Sequence, residues 1–353
     1  MVALGFVSAS NARLRELGPG LVALFVGGTS GIGEFTLKAF VQHTISPRIY
    51  LVGRSETAAD RIINDCQGLN KNSKVEFIMA DVSEIAEVDR VCKEIQAREK
   101  NINLIFQTQG NMNIRGRDES PEGLDRKQTL NFWGRMRFIS NLLPQLKTAS
   151  MTSPHFARSV SLLGAGNAFG TLDTKDIELK NSYSGSRNAA HTIIMNDDMA
   201  EQFAAREPAI TFIHTEPGVV LTGAARELPI WARALLKLIT PLISVFAVGS
   251  HETGERQLFH ATSGMFAPAR PAYNMPFASG VPLATGQAVA VGSNGQIGSG
   301  GYLVNWKGDR AQKAKLTELE ESEVSKIVWE KTAEVFERVE NINQGKAVEA
   351  EGT

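Results

Sequence analysis

An apolar run, LVALFVGG, ends in the turn GGTSGIG at residues 27–33, and no other stretch of the chain limits its fold as tightly. Gly27, Gly31 and Gly33 are spaced so that a strand can turn sharply, a backbone can come close to a phosphate, and a helix can start against that strand. Phe35, Leu37, Phe40 and Val41 follow at roughly helical spacing, so the glycines lie at a strand-to-helix junction, where dinucleotide binding needs them. A P-loop would carry Lys and then Ser or Thr after the last glycine. Here Gly33 is followed by Glu34 and Phe35, which removes the ligands for a β/γ-phosphate and its Mg²⁺.

The second strand pattern, Arg48 to Gly53, ends at Arg54 and Ser55, roughly twenty residues beyond the glycine turn. An acidic residue there would suit the ribose 2′-hydroxyl of NAD, whereas Arg54 suits the 2′-phosphate of NADP(H). Residues 57–70 read as a helix, Lys74 to Ala80 as a strand, and Glu84 to Lys100 as a charged amphipathic helix. Asn103 to Thr108 reads as a fourth strand leading into Gln109 and Gly110, and Pro121 to Lys147 as a long helix containing Asn131. Strands follow at Ala157 to Leu163, Ala209 to Thr215 and Gly301 to Trp306, with a helix headed by Tyr183 after the first of them. This alternation predicts an α/β, Rossmann-like, doubly wound parallel sheet.

Lys and Arg total 37 against 38 for Asp and Glu, so no overall field of one sign recruits nucleic acid or an acidic membrane. Cys66 and Cys92 are the only cysteines and sit in helix-like segments, which points to a reducing, cytoplasmic setting rather than a disulfide framework. The six histidines are scattered and neither CxxC nor HExxH occurs, so no metal site is expected. Residues 228–248 are nearly all apolar, but Pro229, Arg233, Lys237 and Pro241 interrupt them, so the segment predicts a helical lid or a dimer surface rather than a membrane span. Residues 1–310 read as one domain, with the lid at about 224–248, and residues 311–353 as a C-terminal helix and tail.

With the glycine turn, Asn131, the helix YSGSRNAA and the segment PGVVLT taken in order, the chain resembles the short-chain dehydrogenase/reductase family over about residues 20–265. It looks closest to fungal members associated with natural-product biosynthesis. The resemblance implies that Gly27, Ser30, Gly31, Ile32 and Gly33 cradle a pyrophosphate, with Arg54 and Ser55 at the adenosine ribose. Asp81 and Val82 would border the adenine, Gln109 and Gly110 the ribose and sheet end, and Pro217, Gly218, Val220 and Thr222 the nicotinamide carboxamide. It also implies a homodimer or tetramer built through helices.

By the same resemblance Tyr183 is the acid that protonates a carbonyl oxygen. Moving a tyrosine pKa from about 10 toward 7 takes about 4 kcal/mol of phenolate stabilisation, and Arg187, one helical turn on, is the expected cation. The family has lysine there; arginine keeps the charge but cannot relay a proton. Asn131 matches the family's helix asparagine on the relay. The family's serine register falls on Leu162, leaving Ser161, one residue earlier, as the candidate, and alternation along a strand can turn it away from the site. The resulting expectation is an NADPH-dependent ketone reductase or alcohol dehydrogenase acting on a bulky apolar carbonyl or alcohol. The alternatives are non-redox chemistry on the same fold, as an isomerase, dehydratase or cyclase, and a cofactor-binding regulatory module.

Overall fold

The computed structural model describes residues 2–112, 114–271, 275–313 and 320–351. Seven strands form one sheet: β1 (Val22–Val26), β2 (Arg48–Gly53), β3 (Lys74–Met79), β4 (Leu104–Gln107), β5 (Arg158–Leu162), β6 (Thr211–Thr215) and β7 (Gly301–Val304). All pair in parallel, in the order β3-β2-β1-β4-β5-β6-β7. Among the described residues ten α-helices accompany them: α1 (Leu4–Ala12), α2 (Gly31–His43), α3 (Glu56–Leu69), α4 (Ile85–Arg98), α5 (Arg126–Gln128), α6 (Gly134–Met151), α7 (Gly185–Arg206), α8 (Ile230–Ser244), α9 (Ser250–Thr262) and α10 (Glu321–Glu351). The fold is the expected Rossmann-like arrangement.

The strand order fixes where a ligand can sit. From β1 the chain winds outward to β2 and β3, then returns to the other side of β1 as β4, so the crevice opens between β1 and β4. Val26 is in register with Val52 on one side and Gln107 on the other, which places the glycine turn and Thr108–Gln109 side by side above the sheet.

Both faces of the sheet are covered, which is why β1 is apolar at every position. Val22, Leu24 and Val26 pack into one core with Val88, Phe132 and Ile194; Ala23 and Phe25 point into the other with Leu37, Phe40 and Phe259. The first core also receives Val324, Val328 and Val335 from α10. Glu178 fixes that helix, accepting from both guanidinium nitrogens of Arg338 at 2.9 and 2.6 Å.

Several boundaries differ from expectation for local reasons. The helix expected from Pro121 starts at Arg126, where the Asp125 carboxylate caps it by accepting from the Gln128 amide at 2.8 Å. Residues Thr129–Trp133 then form a π-turn, so Asn131 lies in a widened stretch of backbone rather than in a regular α-helix. The final helix begins at Glu321, and the expected start at Leu316 lies outside the described residues. The N-terminal apolar patch forms α1, which docks on α9 through Asn11: its amide donates to Glu255 O at 2.8 Å and Glu255 Oε2 at 2.9 Å.

Candidate active site

A cleft of about 460 Å³ opens at the C-terminal ends of the central strands. Its wall contains Gly27, Ser30, Gly31, Ile32, Gly33, Arg54, Asp81, Val82, Gln109, Gly110, Pro217, Gly218, Val220 and Thr222. Ser55 is elsewhere: its hydroxyl caps α3 by accepting from the Ala58 amide at 3.3 Å.

The cradle is set by the glycines themselves. Gly27 has φ +82°, and a Cβ there would lie 2.6 Å from the Gln109 amide nitrogen. A Cβ on Gly33 would lie 2.6 Å from Thr108 Oγ1 and 2.7 Å from Gly27 O. Only hydrogen fits between the two loops. Ser30, the N-cap of α2, makes no side-chain cap bond, so the first amides of a 13-residue helix face the cleft without an internal partner. Glu34 in that first turn would repel an anion, but Lys38 and Arg61 each reach its Oε1 at 2.7 Å and neutralise it. The cradle therefore fits a dinucleotide pyrophosphate.

Arg54 sits at the outer end of the cleft, 3.1 Å from Glu227 Oε1 and largely exposed. Glu227 also accepts from Asn111 Nδ2 at 2.6 Å, so this carboxylate braces the mouth. Arg226 joins the same wall and is a second guanidinium that sequence reasoning missed.

The catalytic candidates do not all meet. Asn131 lines the cleft, with its Oδ1 buried and unpartnered, while its main-chain carbonyl accepts from Asn196 Nδ2 at 2.8 Å. Leu162 lines the cleft where the serine register falls. Ser161, on the opposite face of β5, is buried, accepting from Arg135 Nη1 at 2.8 Å and donating to Asn196 Oδ1 at 2.8 Å.

Tyr183 corrects the expected geometry. It precedes α7, whose N-cap is Ser184, so Tyr183 and Arg187 do not share a helical face. Arg187 is exposed and reaches only Ser182 O, at 3.4 Å. Tyr183 lines an adjoining pocket of about 140 Å³ that shares Arg54, Asp81, Asn111, Leu130 and Glu227 with the cleft. Its hydroxyl accepts from Asn188 Nδ2 at 3.5 Å. Burial, then the Asp125 carboxylate, push its phenol up to about 12 instead of down toward 7.

The buried cation of the site is Arg135, which sequence reasoning did not single out. It is 1% exposed and donates to Leu130 O at 3.1 Å, Leu162 O and Ser161 Oγ at 2.8 Å, and Gln109 O at 2.6 Å. These bonds tie the π-turn to the ends of β4 and β5. Among the described residues no carboxylate pairs with it, and burial pulls its pKa down to about 9, still charged at neutral pH. The sequence signal was its spacing: residues 131, 135, 138, 142 and 146 recur on the buried stripe of one helix.

The chain is similar to known proteins in sequence and in fold. A short chain dehydrogenase family model matches residues 21–232. Oxidoreductase AN1596 of Emericella nidulans is 38% identical over 344 residues, covering 96% of this chain and 99% of that one. Oxidoreductase lepF of Aspergillus flavus is 32% identical over 289 residues, covering 74% of this chain and 80% of its own. Among solved structures, the RhlG/NADP active-site complex of Pseudomonas aeruginosa superposes with a TM-score of 0.52 at 16% identity, over 71% of this chain and 93% of that one. YwfH, an NADPH-dependent reductase involved in bacilysin biosynthesis, gives 0.51 at 15% identity, over 69% and 92%. Together with the parallel sheet and the glycine cradle at its switch point, these matches make the chain a member of the short-chain dehydrogenase family of oxidoreductases.

Proposed function

We propose that the protein is an NADP(H)-dependent ketone reductase or alcohol dehydrogenase that acts in the cytoplasm on a bulky apolar intermediate of secondary metabolism. The observation that carries the cofactor reading is the joining, in one cleft, of the uncapped α2 N-terminus, the side-chain-free floor at Gly27 and Gly33, and Arg54 at the end of β2. Backbone amides from Ser30 to Gly33 hold the pyrophosphate. Arg54 exchanges Glu227 for a 2′-phosphate, and Arg226 adds a second donor. Asn131 Oδ1, buried and without a partner, accepts from a ribose hydroxyl or an ordered water. Leu162, Leu163 and Val220 supply the apolar wall.

The bound nicotinamide supplies or accepts the hydride. Tyr183 Oη holds the proton that the carbonyl oxygen needs as its carbon gains hydride. Beside Asp125 the phenol stays protonated at neutral pH, so it holds the proton to be delivered. To act, Tyr183 turns from Asn188 and Asp125 toward the shared wall at Leu130.

Tyr183's seat beside the cleft is also the observation favouring the second reading, in which the same fold performs an isomerisation or dehydration, or regulates without turnover. Incubation with NADPH and a panel of apolar ketones separates the readings by product mass: reduction adds two hydrogens, the others add none. Tyr183→Phe is expected to lower turnover at least a hundredfold with cofactor affinity unchanged. Full turnover in that variant would remove Tyr183 from the chemistry.

A further inference from the structure

We propose that α8 is a docking surface for an anionic lipid membrane, on which the protein lies without crossing it. The proposal does not rest on the cofactor reading; it rests on exposure, amphipathic pattern and charge.

In α8, none of the 15 residues is buried. Trp231, Leu235, Leu238 and Leu242 form a stripe at i, i+4, i+7 and i+11 and are 66, 54, 76 and 70% exposed. Val245 and Phe246, just past the helix end, are 76 and 74% exposed, and Val219 and Leu221, on the loop whose Val219 carbonyl accepts from the Val248 amide, are exposed as well. Soluble chains seldom leave a contiguous apolar surface of this kind uncovered.

Charge selects the occupant. The whole chain is nearly neutral, yet residues 228–250 contain Arg233 and Lys237 and no acidic residue. These two cations are one helical turn apart, away from the apolar stripe. Apolar stripe, flanking Arg and Lys, and a tryptophan are the composition of a helix that lies in the headgroup region of an anionic bilayer. At about 22 Å, a 15-residue helix is too short to span a membrane, and no helix among the described residues is long and apolar enough to do so.

The fold places this surface at the cleft mouth. Gly223 and Glu227, just before α8, line the cleft, and the chain returns where the Val248 amide donates to Val219 O at 2.8 Å. A protein resting on α8 would hold its cleft against the lipid phase, where a bulky apolar substrate concentrates.

The test uses the full chain without cofactor or substrate, sedimented with vesicles of phosphatidylcholine and phosphatidylserine, or of phosphatidylcholine alone. Saturable sedimentation with the mixed vesicles is expected. Arg233→Gln with Lys237→Gln should weaken it about thirtyfold, and Leu238→Glu with Leu242→Glu should abolish it, with thermal unfolding confirming that both variants fold. Absence of binding to mixed vesicles overturns the proposal, as does unchanged binding by the Leu238→Glu/Leu242→Glu variant. A wild-type oligomer that this variant converts to monomers also overturns it, because the stripe would then be covered by a second copy of the chain.

Discussion

Replacing Arg135 by methionine and by lysine separates the geometry of a buried guanidinium from its charge. Arg135 makes four hydrogen bonds, to Leu130 O, Ser161 Oγ, Leu162 O and Gln109 O. Bonds from a charged donor contribute about 1.5 kcal/mol each at the low end of their range, so roughly 6 kcal/mol together. Against this stands desolvation: a pKa lowered from 12.5 to about 9 corresponds to about 5 kcal/mol against the charged form. The two nearly cancel. Methionine removes both but leaves the Leu130, Leu162 and Gln109 carbonyls without this buried donor, at about 1 kcal/mol each or more, so its net cost is expected at about 4 kcal/mol. Lysine keeps the desolvation but cannot span carbonyls from three segments with a planar fork; losing half the bonds costs about 3 kcal/mol. Urea unfolding followed by tryptophan fluorescence gives the order wild type, lysine, methionine. A lysine variant as stable as wild type would refute the reasoning, because charge alone would then account for the site.

Three further outcomes follow. Gly27→Ala forces a side chain into φ +82° and against the Gln109 backbone; these cost about 1–2 and 1–3 kcal/mol, so a urea melt should show a loss of about 2–5 kcal/mol, and NADPH affinity should fall with it. Burial, then Arg256 and Arg158, hold the His260 imidazole down at about 3. The unfolded chain takes that proton first, so the contribution is fully present above pH 6.5 and is lost as pH falls toward 3; at pH 5 the loss is about 2 kcal/mol, and His260→Gln should flatten stability between pH 6.5 and 5. Arg338→Ala leaves Glu178 buried with Lys180 and Lys331 as its remaining cations, at 3.3 and 3.5 Å, and should loosen α10 first, read as faster amide exchange across residues 324–339 with the α2 amides unchanged.

The legible parts of the site were those imposed by backbone. A glycine turn after an apolar strand admits few folds, and Gly27 and Gly33 stand where any Cβ collides. Alternating strands and amphipathic helices determined the sheet: β1 and most of β4 are buried on both faces and read as apolar runs, whereas β5 is buried although Arg158, Ser159 and Ser161 are polar. What stayed hidden depended on side chains meeting across the fold. Tyr183 was placed in a helix with Arg187 because a spacing of four suggests one face, but the Ser184 hydroxyl accepts from the Arg187 amide at 3.2 Å and starts the helix one residue late. Arg135 falls on the buried stripe by its spacing, but its partners just after β4 and on β5 appear only in the fold. The 228–248 stretch was legible as an apolar, Pro-interrupted segment expected to form a lid or dimer surface; that its apolar stripe faces solvent was not.

The central claim is that the cleft binds a nicotinamide dinucleotide through the glycine cradle and selects its 2′-phosphate through Arg54. Titration with NADPH and separately with NADH, followed by nicotinamide fluorescence, tests it without any knowledge of the substrate. Saturable binding that favours NADPH, with the preference lost in Arg54→Asp, is the predicted result. Binding of neither dinucleotide would contradict the account, and tighter binding of NADH would contradict the role given to Arg54.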